Sequence, residues 1–235
     1  MSGADPQRER RAITIIRVAG TVVLLLLVVF LALVPAQAVH ENVPGLASPM
    51  LGFELATTPA HVFGILGAPG EPARADTVWR FDLANRIDFV FMLAYPSLFF
   101  GIALLLEAHG SLSRRSRVVL GVLAVAMALG DALENRELLF LSGAADPVAM
   151  QPSLARLHVF TTVKWTAIFA AAGLIGVGVA GERGWWRWSA PLYGLAALGG
   201  LVVALVSLRG IEAGMYLLAL GWVFAYARAL AGATT

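Results

Sequence analysis

Six stretches of the chain carry apolar runs long enough to cross a bilayer core of about 30 Å, which takes about 20 helical residues. They fall at about residues 17–36, 87–106, 118–141, 157–180, 189–208 and 211–230. In lipid the backbone must satisfy its own hydrogen bonds, so runs of this length are helical. The pattern predicts an all-α, polytopic transmembrane helical bundle of about six spans, forming a single membrane domain over 1–235. Residues 37–85 are the one long interruption.

That interruption has its own punctuation. Pro44-Gly45 and Ser48-Pro49 mark turns. Thr57-Thr58-Pro59 sets an N-cap candidate ahead of proline at the first helical position. A short helix is therefore expected from Ala60 to Leu66, ending at Gly67. Ala68-Pro69-Gly70 is a turn, and from Pro72 a helical pattern resumes, with Val78, Phe81 and Leu83 apolar among Arg74, Asp76, Arg80 and Asp82. It is expected to run into span two. The segment is too small to fold alone. Either it caps the outer mouth of the bundle, or it is a loop pinned by an interfacial helix.

Composition agrees. Hydrophobic residues make up 59% and charged residues 14% of the chain, against about 25% charged in soluble domains. This excludes a conventional soluble enzyme, a disordered chain and a nucleic-acid binder, and makes the lipid bilayer the principal partner. With no cysteine, thiolate metal sites, iron–sulfur clusters and disulfides are excluded.

The basic residues number 17, and all but Lys164 are arginine. Arg8, Arg10, Arg11 and Arg17 precede span one, Arg114, Arg115 and Arg117 follow span two, and Arg183 and Arg187 follow span four. Arg228 closes span six. If six helices alternate, these share one side, so the positive-inside rule puts both termini in the cytoplasm. Trp185, Trp186, Trp188 and Tyr193 fit an aromatic belt at that interface. The expected location is the bacterial cytoplasmic (inner) membrane. Span one has a rival reading, since Ala36-Gln37-Ala38 resembles a signal cleavage site. A retained anchor is favoured because the apolar run is longer than most signal cores.

Ionisable groups at membrane depth cost several kcal/mol unless they are paired or face a cavity. Span three carries Asp131, Glu134 and Asn135, spaced i, i+3, i+4 and so on one helix face. Span four carries His158, Thr161 and Lys164 in steps of three, with Thr162 beside them. Span two carries Asp88 near its start and Tyr95 further in, before Pro96, which should kink the helix. At 1.5 Å per residue, Asp131, Glu134 and Lys164 all lie about 10–15 Å below the outer end of their spans. The candidate ligand-binding set is Asp88, Tyr95, Asp131, Glu134, Asn135, His158, Thr161 and Lys164. Crowded carboxylates suit proton exchange or cation binding. The same groups could instead be an interhelical clamp. Arg136 and Glu137 are expected to reach the outer interface.

His40, His61, His109 and His158 form no HExxH pair, and no phosphate loop or nucleophile elbow is present. No metal, cofactor or catalytic group is assigned. Small-residue spacings at Ala126/Gly130, Ala172/Gly176/Ala180 and Ala196/Gly200 allow close helix contact, within the bundle or with another membrane subunit.

The runs RIDFVFMLAYPSLF, ALGDALENRELL and TTVKW, within roughly residues 50–175, resemble a loose group of uncharacterised bacterial integral membrane proteins. These share an Asp-Phe-x-Phe…Tyr segment, an Asp-x-x-Glu-Asn segment and a downstream lysine. The positions are Asp88, Phe89, Phe91, Tyr95, Asp131, Glu134, Asn135 and Lys164. The resemblance implies a polytopic membrane fold and no particular activity. Three functions stay open. The first is an outer-half pocket for a lipid headgroup, a cation or a proton. The second is an accessory subunit of a larger membrane complex, with the cluster as clamp. The third is an intramembrane lipid enzyme using Glu134 or Asp131, disfavoured because no nucleophile or metal set accompanies them.

Overall fold

Four helix starts in this protein share one device: a short polar residue just before the helix, accepting from a backbone N–H of the first turn. Leu51 N donates to Ser48 Oγ, His61 N to Thr58 Oγ1, Ser116 N to Ser113 Oγ and Val148 N to Asp146 Oδ1. In three of the four, proline follows at the first helical position, where its missing N–H costs nothing.

The computed structural model describes residues 6–232. Along it run α1 (Pro6–Leu33), α2 (Pro49–Glu54), α3 (Pro59–Leu66), α4 (Pro72–Ala108), α5 (Arg114–Gly143), α6 (Pro147–Ala180), α7 (Ala190–Leu201) and α8 (Arg209–Ala231). Short 3-10 turns, Trp185–Ser189 and Val203–Leu205, extend α7 at both ends. Six segments are long and apolar enough to cross a membrane: α1, α4, α5, α6, Trp185–Leu205 and α8. The protein is an all-helical, six-span membrane protein.

Helix α3 begins and ends where the Thr58-Pro59 and Gly67 signals place it. The Ser48-Pro49 pair, read as a turn, instead starts α2. The same signature at Asp146-Pro147 starts α6 ten residues ahead of its apolar run. Helix α4 continues through Pro96.

The chain divides into two compact units. One comprises Leu25–Met92 and Ala128–Lys164. Its apolar core contains Phe53, Val62, Ile65, Leu66, Phe81, Ala84, Leu138, Leu141, Leu154 and Leu157, all buried. Phe53 of α2 meets Phe81 of α4 edge-on, with ring centroids 5.5 Å apart. The stretch before α2 is stitched to α3, because Val39 N donates to Ile65 O and His40 N to Gly64 O. Arg74 donates to the carbonyls of Gly67, Ser142 and Ala144, at 2.5, 2.8 and 3.1 Å. It thereby serves the C-terminal ends of α3 and α5 together, where carbonyls lack helical partners.

The other unit comprises the chain up to Leu24, Leu93–Met127 and the chain from Trp165 onward. Its helices meet at glycines. A Cβ on Gly210 would lie 2.5 Å from Gly199 O, and one on Gly214 would lie 2.7 Å from Phe169 Cε1. A Cβ on Gly176 would lie 3.2 Å from Gly194 N. The small-residue spacings therefore serve packing within the chain. Tyr193 Oη donates to Gly221 O at 2.6 Å. Of the expected aromatic belt, Trp185 and Trp188 are exposed, whereas Trp186 and Tyr193 are buried. Tyr95 is buried and stacks on Trp222 at 6.2 Å.

In this second unit His109, just past α4, sits between two carboxylates. Its Nδ1 lies 2.7 Å from Glu182 and its Nε2 lies 3.4 Å from Glu9 of α1. The hydrogen bond to Glu182 raises His109 above the ordinary histidine value. Burial pushes Glu182 up, but hydrogen bonds from His109, Ser111 and Trp186 outweigh it and hold the carboxyl below its ordinary value. The histidine contribution is complete below the ordinary histidine value and is lost as pH rises through the raised one. The carboxylate contribution is complete above the ordinary glutamate value and is lost as pH falls through the lowered one. His109→Gln should therefore lose on the order of 1 kcal/mol of stability near about pH 6. In thermal unfolding in detergent that loss should shrink at alkaline pH, and a loss that does not change with pH would contradict the pairing.

Candidate functional site

Lys164 lies on α6 at the edge of the Leu25–Met92/Ala128–Lys164 unit. Its four-carbon side chain is long enough to carry the ammonium to both α5 and α2. Glu54 Oε2 lies 2.9 Å from Nζ, Asp131 Oδ1 lies 3.4 Å away, and Glu134 Oε1 is hydrogen-bonded to it. The lysine and all three carboxylates are buried.

Each partner is positioned by its element. Asp131 and Glu134 are three residues apart on α5 and so face the same way. Gly130 brings that face close to α6: a Cβ there would stand 3.1 Å from Lys164 N and 3.2 Å from Phe160 O. With no side chain between the two backbones, the α5 acids reach the ammonium. Glu54 is the last residue of α2, and α6 holds it twice. Thr161 Oγ1 donates to its carbonyl at 3.1 Å, and Lys164 donates to its carboxylate. Asn135 completes the α5 face, donating from Nδ2 to Asp88 Oδ2 at 2.6 Å. Asp88, partly exposed, is close enough to Asp131, Lys164 and Glu54 to interact with each electrostatically.

Six of the eight residues proposed from sequence thus come together: Asp88, Asp131, Glu134, Asn135, Thr161 and Lys164. His158 does not, because it is exposed. At 100° per residue, three positions fall 60° short of a full turn. Two such steps separate His158 from Lys164, so the arc from one to the other swings about 120°. Only the carbonyl of His158 is engaged nearby, accepting from Thr162 Oγ1 at 2.7 Å. Tyr95 belongs to the other unit, in the aromatic stack with Trp222.

Glu54 is the residue missed. It is the one ionisable group in the six-residue helix PMLGFE. The signal was the Ser48-Pro49 start, which turns a loop acid into a helix-borne one. Glu137 also differs from expectation. Arg136 is exposed, but Glu137 is buried, accepting from Ser153 Oγ at 2.7 Å and from Arg156 Nε at 3.0 Å. That second ion pair, one turn along α5 from Glu134, ties α5 to the start of α6.

Comparison with protein-family models, with curated proteins and with solved structures finds no match to this chain.

Chemically, the cluster brings three carboxylates onto one ammonium in a buried site. Glu134 Oε2 is buried with no hydrogen-bond partner among the described residues. Removing the ammonium would leave the acids to repel each other in a low-dielectric site. Lys164→Met should therefore cost on the order of 3 kcal/mol of stability. Adding Glu134→Gln should restore at least about 1 kcal/mol, the coupling of the pair. Unfolding of the single and double variants in detergent measures this, and equal stability of the two would contradict direct pairing.

Proposed function

We propose that this is a multi-pass protein of the bacterial cytoplasmic membrane, with both termini cytoplasmic, whose buried acid–lysine cluster binds protons. The observation that carries the reading is the charge imbalance. Three buried carboxylates touch a single ammonium, and Asp88 adjoins them. One ammonium neutralises one carboxylate. At an effective dielectric of about 20, each further pair of like charges about 5 Å apart costs about 3 kcal/mol. The attraction of the ammonium to each carboxylate offsets that cost, but three carboxylates and one ammonium still leave a net charge of −2 in a buried site, which favours uptake of a counter-cation.

The proton suits the site better than the other ligands considered. A metal ion would be repelled by the ammonium at the centre. An anionic lipid headgroup would compete with Glu54, Asp131 and Glu134 for a lysine they already engage. The arginine distribution supports the orientation, which sets the cluster in the outer half of the bilayer. A second reading has its own support. Lys164 ties α2, α5 and α6 together, as a clamp in a subunit of a larger complex would.

Infrared spectroscopy of the reconstituted protein separates the two readings. If the cluster holds protons, a carboxylic-acid C=O band persists at neutral pH. It should weaken in Glu134→Gln and fade as the pH is raised and the site empties. Only ionised carboxylate at neutral pH would leave the clamp as the function.

A further inference from the structure

Three polar side chains follow one another along α4, three residues apart, over an arc of about 120°: Asp82, Asn85 and Asp88. The outer two are each tied to α5. Asp82 Oδ1 accepts from Ser142 Oγ at 2.5 Å, and Asp88 Oδ2 accepts from Asn135 Nδ2 at 2.6 Å. Ser142 and Asn135 are seven residues apart on α5, two helical turns. The two hydrogen bonds are therefore rungs between antiparallel helices, with Asn85 on the face between them.

Asn85 is fully buried, and among the described residues neither its Nδ2 nor its Oδ1 has a hydrogen-bond partner. A primary amide offers two donors and an acceptor with two lone pairs. Leaving all of them unmet in an interior is rare in native proteins and marks a place for ordered water. The spacing fits. The Cβ atoms of residues three apart on a helix stand about 5–6 Å from each other. Asn85 bonds neither Asp82 nor Asp88 directly, and a water bonded to two such neighbours spans the gap. Asn85 can donate to such a water from Nδ2 and accept from one at Oδ1, with Asp82 on one side and Asp88 on the other.

We propose that Asn85 holds ordered waters between α4 and α5, and that the file of waters from Asp82 to Asp88 is the route by which protons reach the Lys164 cluster. The inference rests on the proton-binding reading. The proton moves through the water and not through the amide. Asn85 keeps its own protons and fixes the water between two carboxylates. A proton taken up at Asp82, which is partly exposed, passes by the water to Asp88. From there the cluster is adjacent, because Asp88 interacts electrostatically with Asp131 and Lys164, while Asn135 only holds Asp88 in place and carries no proton. Each transfer moves one proton from one oxygen to the next and leaves the donor ready to be reloaded.

The test is the hydrogen–deuterium exchange rate of the carboxylic-acid C=O band after transfer of proteoliposomes into heavy water. Asn85→Leu replaces the amide with an apolar group of similar size and should slow the exchange about ten-fold or more. Its effect on band amplitude should be small. Asp82→Asn keeps an acceptor for Ser142 but cannot carry a proton, and should slow the exchange likewise. If Asn85→Leu does not fold, Asp82→Asn decides alone. A wild-type band exchanging at the same rate in the variants would overturn the route while leaving proton binding intact. A wild-type protein without the band would overturn the proton-binding reading itself.

Discussion

The ammonium of Lys164 is shared by carboxylates from two different helices, and much of the surrounding architecture serves to keep it so. A buried lysine without partners would lose its charge or expel itself towards water. With partners it becomes the point at which α2, α5 and α6 meet. Three local features make this geometry available. Gly130 lets α5 approach the α6 backbone. The i, i+3 spacing of Asp131 and Glu134 aims both acids the same way. Thr161 holds the end of α2 so that Glu54 arrives at the lysine rather than at solvent.

The second polar group on the same helices follows a different logic. Glu137 is matched by Arg156 and Ser153, so its charge is met by a guanidinium that stays ionised. That pair is balanced and reads as a fastening. The Lys164 cluster is unbalanced, with more acid than base and an oxygen of Glu134 unmet among the described residues. The contrast within one pair of helices separates structural pairing from a site able to take up a cation. Asn85 extends the same contrast, since its amide is buried with no partner among the described residues, between two carboxylates of α4 that both have one.

Much of this was legible in the sequence, and the reasons are physical. Membrane spans announce themselves by length and apolarity, because lipid leaves the backbone no alternative to helix. Asp131, Glu134, Asn135 and Lys164 stood out because charge inside such a run is costly enough to need a reason. The Thr58-Pro59 and Gly67 signals bounded α3 because capping is local. What could not be read depended on longer range. His158 was placed with Lys164 by counting threes, although the helix turns by 100° per residue and carries it out of the cluster. Tyr95 shared the depth of the site but packs in an aromatic stack with Trp222. Glu54 lay in a segment whose six-residue helix is too short for periodicity to reveal. Only the tertiary fold brings it to an ammonium 110 residues away.

The central claim is that the cluster keeps protons while Lys164 stays charged. Solid-state carbon-13 NMR of the membrane-reconstituted protein reads the ionisation of each carboxyl directly, with Glu54, Asp88, Asp131 and Glu134 assigned by single substitutions. The account predicts a mixed population at neutral pH, with at least one of the four in the acid form and at least one ionised beside Lys164. Four ionised carboxylates at neutral pH would contradict it.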